Sequence, residues 1–104
     1  MDVYEALSDP TRRDIIAMLA QGERSAGDIA GRFAMAGPSV SRHLKVLREA
    51  GLIAYRQRAT SRFYRLEPQR LEEVRQWMDA VLDVTRARFD RLAAHLDAME
   101  ERGS

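Results

Sequence analysis

The chain contains no cysteine. That excludes disulfides and thiolate metal sites. No run of about 18 apolar residues occurs, which excludes a membrane-spanning helix. The opening MDVYEALSDP is acidic and lacks the basic start and apolar stretch of a signal peptide, so the expected location is the cytoplasm. There are no paired carboxylates in a loop, no nucleophile–base set and no glycine-rich phosphate cradle, so nothing in the chain reads as an enzyme. A large charge of one sign is missing too: 17 basic against 16 acidic side chains leave a net +1. What remains is one small domain of 104 residues with an ordinary apolar fraction. Its core is adequate rather than generous, and a second subunit would complete it.

The near-neutral total hides an uneven distribution. Residues 38–66 hold Arg42, Lys45, Arg48, Arg56, Arg58, Arg62 and Arg65 against Glu49 alone, a net +6. The segments before and after carry net −2 and −3. Positive charge gathered in one place points to a polyanionic partner in a way that the overall isoelectric point does not.

Local signals order the chain into helices around that segment. Residues 3–7 (VYEAL) read as a short helix. Asp9 and Pro10 cap and open a second, running to about Gln21, with Ile15, Ile16, Met18 and Leu19 as its apolar stripe. Gly22 is expected to end it in the left-handed conformation. Ser25 starts a third helix, SAGDIAGRF, with Asp28 in a shortened capping box and Ile29, Ala30 and Phe33 facing inward. Pro38 opens a fourth that ends at Gly51. At 100° per residue Val40, Leu44 and Leu47 share one face, while Arg42, Lys45 and Glu49 lie opposite and Ser39 and Ser41 sit near its start. Residues 53–58 and 62–66 then alternate as two strands of a hairpin, joined by Ala59-Thr60-Ser61 and ringed by arginines. The tip holds no glycine, which leaves its turn type open.

After Pro68 a long helix is expected, to about Glu101, roughly 50 Å at 1.5 Å per residue. From Met78 its apolar positions fall at Leu82, Thr85, Phe89, Leu92, Leu96 and Met99, spaced 4-3-4-3-4-3. That is a heptad seam. Only the short first helix, through Tyr4 and Leu7, is available to cover part of it, so a second copy of the chain is the expected partner. Arg102-Gly103-Ser104 reads as a frayed tail.

This order gives a mainly α fold with a two-stranded β wing: a winged helix-turn-helix with a long C-terminal dimerisation helix. The helix-turn-helix spans residues 25–51, the wing 52–67, and the dimerisation helices 1–8 and 68–101, within one domain over 1–104. DPTRRDIIAML, SAGDIAGRF, PSVSRHLKVLREAGLI and a wing ending RFYRL together resemble the ArsR/SmtB family of bacterial transcriptional repressors. The resemblance covers about residues 3–100, and PSVSRHLKVLREAGLI is its most specific part. It implies a homodimeric repressor of the bacterial cytoplasm that binds double-stranded DNA at an imperfectly palindromic operator. Metal-sensing members place cysteines at the third helix or near the N-terminus, or use Asp-x-His with a later His-x-x-His or His-x-x-Glu pair on the last helix. Here only Asp83-Val84-Thr85 and a lone His95 answer to that pattern. The chain is therefore similar to the metal-independent subgroup, which includes autorepressors, with no metal and no cofactor expected and the effector left open.

The DNA contacts expected on this reading are Ser39, Ser41, Arg42 and Lys45 from the fourth helix, and Arg56, Arg58, Thr60, Ser61 and Arg62 from the wing. Arg42 is the candidate for a bidentate contact to guanine. In many relatives a polar side chain precedes the helix-opening proline; here Gly37 offers only its backbone amide. Tyr4, Leu7, Met78, Leu82, Phe89, Leu92, Leu96 and Met99 are the expected dimer contacts. Blander readings stand beside these. His43 reads as a packed or phosphate-adjacent side chain rather than a sensor. His95 reads as a surface or seam residue rather than a ligand, and Trp77 as core or interface packing rather than a pocket wall. Arg12 and Arg13 touch either the DNA backbone or surface carboxylates. The competing function is a winged-helix module that binds an acidic protein, but such a face should carry an aromatic or aliphatic anchor at its centre. A repressor answering to a metal or small molecule is the rival within the family.

Overall fold

The computed structural model describes residues 2–103. The elements are α1 (Val3–Ala6), α2 (Pro10–Leu19), β1 (Arg24–Ser25), α3 (Ala26–Ala30), α4 (Gly37–Glu49), β2 (Ile53–Arg58), β3 (Ser61–Leu66) and α5 (Gln69–Gly103). They fall into two compact units, one running to Val74 and one from Arg75.

In the first unit, side chains start α2 and α3 where the sequence places them, whereas α4 starts at Gly37 with no side-chain cap. The Asp9 carboxylate accepts from the Arg12 amide at 3.0 Å, and the Ser25 hydroxyl from the Asp28 amide at 3.1 Å. The Asp9 carboxyl is held below its ordinary pKa, chiefly by that backbone hydrogen bond and then by the nearby His43 and Arg12. Asp9→Ala should cost about 1 kcal/mol. The cap's contribution is complete above the unfolded-state pKa near 4 and fades as pH falls through the lower folded-state value. Urea titrations at pH 7 and below pH 3 would show the gap between wild type and variant closing on acidification. A gap that persists would mean that the charge plays no part.

α4 ends in a Schellman arrangement. The Gly51 amide bonds to the Arg48 carbonyl and the Leu52 amide to the Leu47 carbonyl, both at 3.0 Å. Gly51 has φ +77°, where a side chain is strained, and an added Cβ would lie 3.3 Å from the Arg70 side chain. The motif turns the chain straight into β2 and buries Leu47 and Leu52 together. Gly22 differs from expectation: its φ of +144° lies beyond the left-handed helical region, two residues past the cap at Ala20.

The buried face of α4 is Val40, Leu44 and Leu47, as its periodicity requires. These pack in one core with Ile15, Ile16 and Leu19 of α2, Ile29 of α3, and Ile53 and Tyr64 of the hairpin. α3 stops at Ala30, short of Phe33, and Phe33 packs against the core from outside the helix. β2 and β3 pair from Ile53↔Leu66 to Arg58↔Ser61, leaving Ala59 and Thr60 as a two-residue loop. Ala59 alone has positive φ, at +55°, the pattern of a type II′ turn that glycine usually fills. The sheet has a third strand that the sequence does not announce. β1 pairs with β3 (Arg24↔Tyr64, Ser25↔Phe63), giving the order β1-β3-β2. Two residues are too few to show any alternation.

Arg12 and Arg13 make contacts to α1 that the sequence does not suggest. Arg12 donates to the Ala6 carbonyl at 2.6 Å and the Glu5 carbonyl at 3.1 Å, and Arg13 to the Leu7 carbonyl at 2.8 Å. The last carbonyls of so short a helix lack intrahelical donors, and the Arg12 and Arg13 guanidiniums of α2 serve those of Ala6 and Leu7.

α5 opens with Leu71 and Val74 against the core of the first unit. The second unit is the remainder of this 35-residue helix, in which no residue is buried. Helix persists through Arg102 and Gly103, so those two are not a frayed tail; Ser104 and Met1 lie outside the described residues. Thr85 fits the seam because its hydroxyl donates to the Val81 carbonyl at 2.9 Å.

Candidate nucleic-acid interface

α4 and the β2–β3 hairpin carry the cationic segment, and its seven basic side chains have different surroundings. Arg42 and Arg58 are exposed and have no hydrogen bond or ion pair among the described residues. Lys45 is exposed, with Glu49 at a loose 4.0 Å. Arg48 and Arg62 both lie over the Tyr55 ring, at 5.3 and 4.4 Å from its centroid. The neighbouring Tyr64 side chain, and then Tyr55, raise the Arg62 pKa. Arg56 and Arg65 are neutralised within the protein. Arg56 grips the Glu23 carboxylate through Nη2 at 2.7 Å and Nε at 3.1 Å, and crosses the Phe63 ring at 5.6 Å. That hydrogen bond pulls the Glu23 pKa down and raises that of Arg56. Arg65 pairs with Glu67 at 3.1 Å.

The expected DNA-contact residues therefore divide. Ser41, Arg42 and Lys45 are exposed on α4, with Ser39 half-buried in its first turn. Arg58, Thr60, Ser61 and Arg62 are exposed at the wing tip. Arg56 stands apart from them, turned to Glu23 before β1. Sequence reasoning assigned no role to Arg48, Tyr55 or Tyr64, although all three meet where α4 approaches the hairpin. Tyr55 and Tyr64 are paired across the strands, with centroids 5.5 Å apart, and this register pairing was the signal available.

His43, on the flank of α4, has 19% of its side chain exposed. Its Nδ1 lies 3.3 Å from Arg12 Nη1 and 3.9 Å from Asp9 Oδ2. A guanidinium only donates, so Nδ1 is the acceptor. The contact ties α4 to α2, consistent with a packed histidine. His95 is exposed on α5, and Asp83 lies 3.8 Å from Arg86. Among the described residues no three His, Asp or Glu side chains come together as a metal-binding group, and no helix is long and apolar enough to cross a membrane.

The apolar side of α5 is open in the single chain. Met78, Leu82, Phe89, Leu92, Leu96 and Met99 are between 46% and 66% exposed, and Trp77, Val81 and Val84 add to that surface. Trp77 is thus no part of the core. Tyr4 on α1 is exposed, whereas Leu7 packs partly against the core of its own unit.

Residues 9–55 match the family model for bacterial regulatory proteins of the arsR family. The transcriptional repressor SdpR of Bacillus subtilis (strain 168) is 39% identical over 77 residues, which span 74% of this chain and 86% of that protein. The crystal structure of a possible transcriptional regulator for arsenical resistance superposes with a TM-score of 0.72 at 36% identity, over 84% of this chain and 95% of that one. A solution structure from Mycobacterium bovis, a homodimeric winged helix-turn-helix DNA-binding domain of a possible ArsR-family regulator, superposes with a TM-score of 0.63 at 31% identity, over 78% of this chain and 75% of that one. Fold, basic helix and wing, and these likenesses agree: the chain belongs to the arsR family of bacterial transcriptional regulators, DNA-binding proteins built on the winged helix-turn-helix.

Proposed function

We propose that the chain acts as a homodimeric, sequence-specific repressor in the bacterial cytoplasm, reading an imperfect palindrome without a metal signal. The observation that carries this reading is the pair of unengaged guanidiniums, Arg42 on α4 and Arg58 on the wing. They belong to the basic helix and wing, whose other arginines are stacked or neutralised. A two-fold dimer would set two such faces about 34 Å apart, one turn of duplex, hence the palindrome. Repression and homodimer formation are in keeping with SdpR and with the Mycobacterium bovis domain. Metal independence is supported by the lack of cysteine and by the separation of His95, Asp83 and the remaining carboxylates. The DNA-contact set proposed is Ser39, Ser41, Arg42 and Lys45 with Arg58, Thr60, Ser61 and Arg62; Arg56 serves the wing by bracing it against Glu23.

Selection of bound fragments from genomic DNA tests the proposal. Wild type should recover sites with two related half-sites about one helical turn apart, with or without added zinc. Recovery of unrelated fragments, or release by zinc, would contradict it. Arg42→Ala should relax preference at one base position per half-site, a loss of about 1–3 kcal/mol of discrimination. Arg58→Ala should weaken all sequences alike and reduce the salt slope by about one unit. An unchanged consensus in the first variant, or a sequence-selective loss in the second, would reverse the two assignments.

A further inference from the structure

Between α4 and β3 lies a cleft of about 190 Å³, lined by Ser41, Lys45, Arg48, Arg62 and Tyr64. Three cations and two hydroxyl-bearing side chains border it, and no carboxylate does. Like charges brought this close repel, so their convergence requires something to hold them. The Tyr55 ring lies under both Arg48 and Arg62 and attracts their guanidiniums through its π face. The Tyr64 side chain borders the same cleft and favours the charged form of Arg62. Each guanidinium has five N–H donors, and a ring face satisfies none of them in the plane of the fork. Arg48 has no carboxylate partner among the described residues, and that of Lys45 stands at 4.0 Å. The cleft thus presents donors for a tetrahedral anionic acceptor and holds no internal anion.

We infer that this cleft seats one backbone phosphate of the bound duplex, bridging recognition helix and wing. Arg48 is a phosphate-binding residue, and Tyr55 is the platform that positions Arg48 and Arg62. The inference rests on the DNA-binding reading above. It adds a contact that reads no base but fixes the register of α4 in the groove, because the same phosphate is held from two elements at once.

The test uses the 104-residue chain and a duplex of mixed sequence, with affinity measured across a range of salt. Arg48→Gln should reduce the magnitude of the log–log salt slope by about one unit per chain, and Arg48→Lys should keep it. In a duplex recovered by the selection above, single methylphosphonates remove the charge of one phosphate at a time. Wild type should lose affinity at several positions, and at one of them per half-site, costing about tenfold, Arg48→Gln should be indifferent to the substitution. If wild type binds but Arg48→Gln keeps both the full slope and sensitivity at every position, the cleft holds no phosphate while DNA binding stands. If wild type shows no salt-sensitive binding, the DNA reading itself falls. A loss in Arg48→Gln that Arg48→Lys shares in full would make Arg48 a packing residue and overturn its assigned role.

Discussion

Replacing Leu92 by aspartate is expected to give a folded monomer that has lost about 100- to 10,000-fold in operator affinity. Leu92 lies in the middle of the 4-3-4-3-4-3 series and is 52% exposed in the single chain, so little intrachain packing is lost on substitution. The whole seam from Met78 to Met99 is similarly open. A contiguous apolar stripe of that length along a charged helix is what a paired helix covers. In a two-fold pair each Leu92 would face the partner's seam. Two carboxylates there would be desolvated and close together, which opposes pairing from both sides. The affinity falls because each basic face contributes a modest half-site interaction and the pairing makes the second one intramolecular. Sedimentation equilibrium with the same sample used for operator titration checks both halves. A monomer that still binds tightly would remove the dimer from the mechanism; an unchanged dimer would show that the seam is not the interface.

Leu47→Ala is expected to lower stability by about 2–5 kcal/mol, a large share of the roughly 5–15 kcal/mol typical of a domain. Leu47 is fully buried and has two roles. Its side chain joins the α4 face to the core beneath the hairpin, and its carbonyl receives the Leu52 amide that turns α4 into β2. The substitution leaves a cavity where helix and wing share one core, with little freedom to collapse. Urea denaturation at fixed protein concentration reads the effect, the concentration being held because dimer formation would add to apparent stability. A change below about 1 kcal/mol would show that the helix and hairpin are seated by something other than this side chain.

What the sequence disclosed, and what it withheld, follows from how local each signal is. The α4 face was legible because Val40, Leu44 and Leu47 repeat with the helical period, and the seam of α5 because its spacing persists over three heptads. The hairpin showed in the alternation of residues 53–58 and 62–66, and the caps in Asp9, Ser25 and Gly51. Those are near-neighbour patterns. Arg56 and Glu23 are 33 positions apart, as far as Arg56 is from any hint that its charge is already spoken for. Arg12 and His43 are separated by 31, and the carbonyls of α1 that Arg12 serves announce nothing in a sequence. The tyrosine platform is a cross-strand contact whose importance depends on Arg48 arriving from another element. Composition counted seven cations in one segment; only the folded chain shows that two of them are neutralised and that two share one ring.

The most direct measurement is the affinity of the purified wild-type chain for a mixed-sequence duplex as salt is varied. Lys45, Arg48, Arg58 and Arg62 are the cations left for phosphates, with Arg42 assigned to a base, and a dimer presents each twice. With about 0.9 counterions released per neutralised phosphate, and one phosphate shared between Arg48 and Arg62, log affinity should fall against log salt with a slope of about −4 to −7. A slope near zero, or no association even at low salt, would contradict the claim that this helix and wing grip duplex DNA through its backbone.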